Sequence, residues 1–102
     1  MAVTGAARAD VLPDVPTVGE FVPGYEVSVW NGLGAPKGTP AEIVEKLNRE
    51  VRMVLAEPTV KTRFADLGYS MFPNSPAEFG KHIADETEKW GKVIRTANIK
   101  PE

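Results

Sequence analysis

Proline placement constrains this chain more than any other feature. Proline fixes φ, offers no backbone N–H and pushes the residue before it towards extended geometry. Three of the nine prolines fall within residues 12–24, together with two glycines. That stretch reads as an irregular connector, with one helical turn at Thr17–Phe21 begun by the Thr17 side chain. Beyond it, Pro40 and Pro76 each stand at the first position of a helix start signal. The two long helices are expected after them. The chain therefore divides into an extended, irregular first part and a helical remainder that starts at Thr39.

Within the first part, Ala2–Thr4 reads as a short extended piece. Tyr25–Trp30 alternates, with Tyr25, Val27 and Val29 on one side and Glu26, Ser28 and Trp30 on the other. Period two with β-branched and aromatic residues predicts a strand. Asn31–Pro36 continues it, and its two glycines point to a bulge or a close approach of backbone to another group.

The helices announce their own starts. In Thr39-Pro-Ala-Glu42, Thr39 is placed to cap, Pro40 suits the first helical position and Glu42 can reach back to the cap amide. Ile43, Leu47, Val51, Val54 and Leu55 then recur at helical spacing. Pro58 resets the chain into a shorter helix over Thr59–Leu67, closed by Gly68 in a left-handed conformation. Tyr69–Phe72 reads as an extended return. Ser75-Pro-Ala-Glu78 repeats the earlier start signal and predicts a last helix over Pro76–Thr96. Its expected buried stripe is Phe79, Ile83, Thr87, Trp90 and Ile94. Glu78, His82, Asp85, Glu86 and Lys89 fall on or towards the solvated side. Asn98–Glu102 reads as a tail. The expected class is α/β and rich in helix: short strands with two long helices and one short one.

At 102 residues the chain is one domain at most. The apolar share of 42% and charged share of 25% are those of an ordinary globular protein. Net charge is −2 and the signs are mixed, with no basic block. A phosphate-backbone partner has no electrostatic footprint, so we expect no nucleic acid. Without cysteine there is no disulfide, thiol nucleophile or thiolate metal site. No apolar run is long enough to span a membrane. The first eight residues lack a basic region followed by an apolar one, so no export signal is expected in the sequence as written.

Little in the chain looks like chemistry. His82 is the single histidine, with Asp85 and Glu86 three and four residues on. A metal site needs three or four convergent ligands, and no second cluster is evident. We read His82 as part of a solvated polar face, and an enzyme built around it as a remote alternative. Ser28, Ser70 and Ser75 stand in no nucleophile turn. Lys37-Gly38-Thr39 inverts the order a phosphate loop requires. We therefore expect no catalytic residue, metal or cofactor. Trp90 reads as core. Trp30 is different, because it lies on the polar side of the alternation, next to Asn31. It is either the wall of a ligand cleft with Asn31 as an orienting group, or a core tryptophan packed under a helix. Trp30 and Asn31 are the candidate substrate-binding residues.

Several stretches come in a recognisable order. They are Leu12-Pro-Asp-Val-Pro-Thr17, Val22-Pro-Gly-Tyr25, Trp30-Asn31-Gly32, and Ala35-Pro36 with Gly38-Thr39-Pro40. Phe64-Ala-Asp-Leu-Gly68, Ser75-Pro-Ala-Glu-Phe79 and Glu88-Lys-Trp-Gly-Lys-Val93 follow. Together they resemble the C-terminal region of the tripartite tricarboxylate transporter receptors, the Bug family of periplasmic solute-binding proteins. The resemblance covers essentially the whole chain.

It implies part of one lobe of a type II periplasmic-binding-protein fold. Two α/β lobes of such a receptor close around a small carboxylate and deliver it to membrane transporter subunits by secondary transport. Residues 1–38 would supply the interlobe strand, connector and a further strand, and residues 39–102 the helical C-terminal segment. The intact family is periplasmic. The chain departs from the family in lacking the upstream lobe parts, the main carboxylate-binding loops and the signal peptide. Gly34 also replaces a residue that is often bulky and apolar. We therefore expect a fragment that does not bind solute tightly by itself and that forms a homodimer through its orphaned apolar stripes. The alternative is a small helical interaction module with no transport role.

Overall fold

The computed structural model describes residues 1–100. Three α-helices carry it: α1 (Ala41–Ala56), α2 (Pro58–Asp66) and α3 (Pro76–Thr96), preceded by a 3-10 turn at Val18–Glu20. Two long helices and one short one stand within a residue or so of where the start signals and periodicity predict them. α1 packs against both α2 and α3. Asn48 ties α1 to the α3 entry by donating from Nδ2 to the Asn74 carbonyl at 2.8 Å.

The connector is held by a small polar knot. Thr17 caps the 3-10 turn, accepting from the Glu20 N–H at 3.2 Å. The Glu20 carboxylate returns to the Thr17 N–H at 3.1 Å. Arg8 then grips that carboxylate with two bonds of 3.0 and 2.9 Å. Thr17 is the one buried residue among those described, at 5% exposure.

The expected strands do not form. Among the described residues the only β-bridge is an isolated parallel one between Val3 and Thr17. Its bonds run from Val3 N–H to Pro16 O and from Val18 N–H to Val3 O. Tyr25–Trp30 belongs to no sheet. A single backbone bond, Val27 N–H to Thr4 O at 2.8 Å, ties residues 26–30 to another segment. The alternation is that of a strand, but a strand exists only when a neighbour supplies its ladder. Tyr69–Phe72 likewise pairs with nothing.

The ends of the helices follow local chemistry closely. Ser75 and Glu78 complete the capping box of α3, with Ser75 N–H to Glu78 Oε2 at 2.7 Å and Glu78 N–H to Ser75 Oγ at 3.2 Å. α2 closes on Gly68 at φ +76°. Gly68 N–H bonds to Ala65 O and Tyr69 N–H to Phe64 O, a Schellman motif. The Tyr69 ring meets Phe64 edge-on across it. α3 ends in the same motif with Asn98 at φ +51° at the start of the expected tail, whose last residues, Pro101 and Glu102, lie outside the described residues.

The start of α1 differs from expectation. Thr39 does not cap it. Its hydroxyl donates to the Pro36 carbonyl at 2.8 Å, and the helix begins one residue later, with Pro40 at the cap position. Glu42 is thereby moved to the second helical position, where it cannot close a box.

Burial also departs from the expected stripes. No hydrophobic residue among those described is fully buried. On α1, Val44, Asn48, Val51 and Leu55 are half-buried, while Ile43, Leu47 and Val54 are exposed. On α3, the half-buried positions include Phe79, His82, Glu86 and Lys89. Ile83, Trp90 and Ile94 are exposed. Of the expected stripe only Phe79 is half-covered, while His82, Glu86 and Lys89, assigned to or towards solvent, are half-covered as well.

Candidate functional site

The extended segment that ends at Trp30 runs onto the first turns of α3, and the local sequence explains how. The Ser75–Glu78 box fixes where α3 starts. Phe79 and His82, three residues apart, then share one face of the helix. Trp30 meets both edge-on. Its ring lies 5.5 Å from Phe79 at 89° and 4.9 Å from His82 at 71°. Such edge-to-face pairs add about 0.5–1.5 kcal/mol each beyond area burial. Immediately after Trp30 the backbone comes so close that a Cβ at Gly32 would overlap the Phe79 ring. The close approach expected of these glycines is present at Gly32, while Gly34 faces open space.

Trp30 is 40% exposed. It is therefore neither a core tryptophan nor a free one: its ring packs against Phe79 and His82 and the residue stays partly exposed. Its indole N–H has no protein acceptor among the described residues. Asn31 is exposed beside it, with no side-chain hydrogen bond among the described residues. The pair presents an aromatic face and an uncommitted amide side by side.

His82 is a half-buried ring against Trp30 and Phe79, not part of a solvated polar face. Helix periodicity put it on the polar side of α3. What it could not show is that residues 30–32 lie over it. Phe79 and His82 are thus the supporting residues that sequence reasoning missed. Their spacing on one helix face was visible, but their aromatic partner was not.

Lower on α3, the Trp90 indole N–H donates to Glu86 Oε2 at 2.8 Å. That bond is the main reason the Glu86 carboxyl sits below the ordinary glutamate range, with Lys89 adding to it. Trp90 was expected in the core. It is a partly exposed ring tied to its own helix. No group of three or more metal-ligating side chains occurs among the described residues.

Two concavities lie elsewhere. One of about 250 Å³ is lined by Arg52, Leu55, Ala56, Lys61, Met71 and Pro73. A smaller one of about 50 Å³ lies where Ala9–Val11 meets Gly68–Ser70. Neither includes Trp30 or Asn31. Ligand cavities usually enclose about 300–1,000 Å³, and Trp30 and Asn31 lie in neither of these smaller concavities.

Comparison with known proteins gives a consistent picture. The pattern of the family described as tripartite tricarboxylate transporter family receptor matches residues 1–99. The chain is 45% identical over 100 residues to a UPF0065 protein encoded between ttuE and ttuC′ in Agrobacterium vitis. That match covers 94% of this chain and 29% of the relative. It is 33% identical over 101 residues to the protein BugT of Bordetella pertussis, across 98% of this chain and 31% of BugT. The structure of the periplasmic binding protein BugD superimposes with a TM-score of 0.83 at 33% identity. The superposition takes in 99% of this chain and 35% of BugD. The chain spans about a third of the length of these proteins.

Proposed function

This chain belongs to the tripartite tricarboxylate transporter receptor family, and from that premise we propose that it forms the C-terminal part of an extracytoplasmic receptor for small carboxylates. The family is one of solute receptors, not of enzymes. In this reading residues 1–38 carry the interlobe strand, connector and cleft-facing segment, and residues 39–102 the bracing helices. Trp30 and Asn31 line the solute cleft. Trp30 offers an apolar wall to the carbon skeleton, and the Asn31 amide orients a carboxylate. The partners are a small carboxylate and the membrane subunits of a tripartite transporter, and the receptor works in the periplasm.

One observation carries this reading. Trp30 is packed against Phe79 and His82 yet 40% exposed, and the neighbouring Asn31 is exposed. A fixed aromatic beside a free amide is how a binding wall is built. One wall is not a site, so the isolated chain does not hold solute tightly and associates with a second copy.

Calorimetric titration with succinate, citrate and aspartate tests both halves. The isolated chain is expected to show no micromolar binding, and such binding would refute the one-wall reading. A full-length receptor in which this chain replaces the matching third should bind one of the three. Trp30→Ala or Asn31→Ala should then weaken binding at least tenfold, with Leu33→Ala as the control. Unchanged affinity in both variants removes them from the cleft.

A further inference from the structure

The chain carries four side-chain amides, all of them asparagines: Asn31, Asn48, Asn74 and Asn98. Asparagine is chemically labile. Its amide is lost when the backbone nitrogen of the next residue reaches its Cγ, so the state of that nitrogen decides how long each one lasts. Three of the four following nitrogens are committed. Arg49 lies inside α1, and the Asn48 amide itself donates to the Asn74 carbonyl at 2.8 Å. Ser75 N–H donates to Glu78 Oε2 at 2.7 Å. Ile99 N–H donates to Ile94 O at 3.1 Å, and its branched side chain crowds the approach.

Asn31 has none of these protections. Among the described residues the Gly32 N–H donates no hydrogen bond, and glycine has no Cβ to stand in the way. Asn31 belongs to no helix or ladder, and a segment so lightly bonded changes conformation at little cost. Nor can the fold replace the glycine. A Cβ at Gly32 would overlap the Phe79 ring, the same ring that packs against Trp30. The contact that holds Trp30 thus requires, at position 32, the residue that leaves Asn31 most open to attack.

We propose that Asn31 is a site of spontaneous covalent modification, in which the Gly32 nitrogen and water exchange its side-chain amide for a carboxylate. The Gly32 nitrogen gives up its proton to base and bonds to Asn31 Cγ. The Cγ–Nδ2 bond breaks, ammonia leaves with that proton, and a five-membered imide closes. Water then opens the ring, its hydroxyl going to one carbonyl and its other proton back to the Gly32 nitrogen. Opening at Cγ restores the main chain and gives aspartate. Opening at the main-chain carbonyl leaves the chain running through Cγ, one methylene longer, with the α-carboxyl as the side group. In sum, amide and water become carboxylate and ammonium. Either product places a negative charge beside Trp30. The second also lengthens the backbone where Gly32 is pressed on Phe79.

The test is to hold the full chain in mildly alkaline buffer, folded and in guanidinium chloride, and to follow its tryptic peptides by mass spectrometry. Trypsin puts each asparagine on a different peptide, Asn31 on Ala9–Lys37. In the folded chain that peptide should gain one mass unit at least tenfold faster than the peptide of any other asparagine, and should separate into two isomers. Its rate should match the rate in denaturant within about threefold, because so little holds the segment. A larger slowing on folding would overturn the proposal, and so would equal rates at all four asparagines. Gly32→Ala combined with Phe79→Leu, which makes room for the added Cβ, should slow the conversion at least tenfold. Phe79→Leu alone should not, and a double variant as fast as the parent removes Gly32 from the reaction. The consequence for solute rests on the cleft reading: in a full-length receptor carrying this chain, Asn31→Asp should weaken carboxylate binding at least tenfold. If Asn31 converts and that variant binds as the parent does, the modification stands and the cleft reading fails.

Discussion

Two four-residue stretches, Thr39-Pro-Ala-Glu42 and Ser75-Pro-Ala-Glu78, differ only in which hydroxyl residue leads. The second builds a reciprocal capping box and starts α3 at its proline. The first builds none, and α1 starts one residue later. What differs is the chain just before them. Pro36–Thr39 forms a tight turn, closed by Thr39 N–H to Pro36 O, with Gly38 at φ +88°. That is the geometry of a type II turn, which needs a left-handed third residue. The Pro36 carbonyl thus takes both the amide and the hydroxyl of Thr39. Ser75 follows Asn74, whose carbonyl is occupied by the Asn48 side chain. Its hydroxyl remains available to the helix. A start signal works only if no nearer acceptor competes for the capping group.

Breaking the turn should have the largest effect. Gly38→Ala places a Cβ in left-handed geometry at a cost of about 1–2 kcal/mol. Thermal melting followed by circular dichroism should show the loss. An unchanged melt would mean that the turn does not hold the α1 entry. Next comes the cap that is made. Ser75→Ala should cost about 1 kcal/mol, the usual value for a lost N-cap. Thr39→Ala should then cost less, about 0.5 kcal/mol, because it removes one hydroxyl bond at a half-buried site and no cap. Equal losses at the two positions would erase the contrast drawn here.

Acid should give a smaller and more local effect. The Glu78 carboxyl is held below the ordinary glutamate range, first by the Ser75 backbone N–H and then by the Ser75 hydroxyl. A folded-state pKa below the unfolded one means the stabilisation is fully present above the unfolded value. It fades as pH falls through the folded one. Helix content of α3 should therefore soften only in acid, below the usual glutamate range, and Glu78→Gln should remove that step. A step that survives the substitution belongs to another group. The finest probe is Arg8→Ala. Its guanidinium is the first cause of the depressed Glu20 pKa, with the Thr17 backbone second. In the variant, a carboxylate titration by NMR should find Glu20 moved back up towards its ordinary range, and an unmoved value would show that the Thr17 cap suffices.

The contrast between the two helix starts also explains how much of the molecule was legible. α3 could be read to its residue because proline, cap and period agreed within a few residues. So could the left-handed close at Gly68. The orientation of α3 could not. Periodicity sorted Ile83, Trp90 and Ile94 from His82 and Glu86 correctly, but it assumed that the apolar side is the covered one. In this chain residues 30–32 lie over Phe79 and His82, across the boundary between the two sides. Of the candidate site, Trp30 and Asn31 were singled out from their place in the alternation. Phe79 and His82 were not, because they meet Trp30 across about fifty residues of chain.

The amino-acid sequence by itself determined the helices and their breaks, the cap of α3, the family and the strand-like character of Tyr25–Trp30. Each of these rests on interactions within a few residues, or on motif order along the chain. Only the tertiary structure decided that the strand stays unpaired, that Thr39 spends its hydroxyl on Pro36, and that Trp30 packs against Phe79 and His82 yet stays partly exposed. Pairing, competition for an acceptor and burial all depend on which distant group arrives first, and no local pattern encodes that.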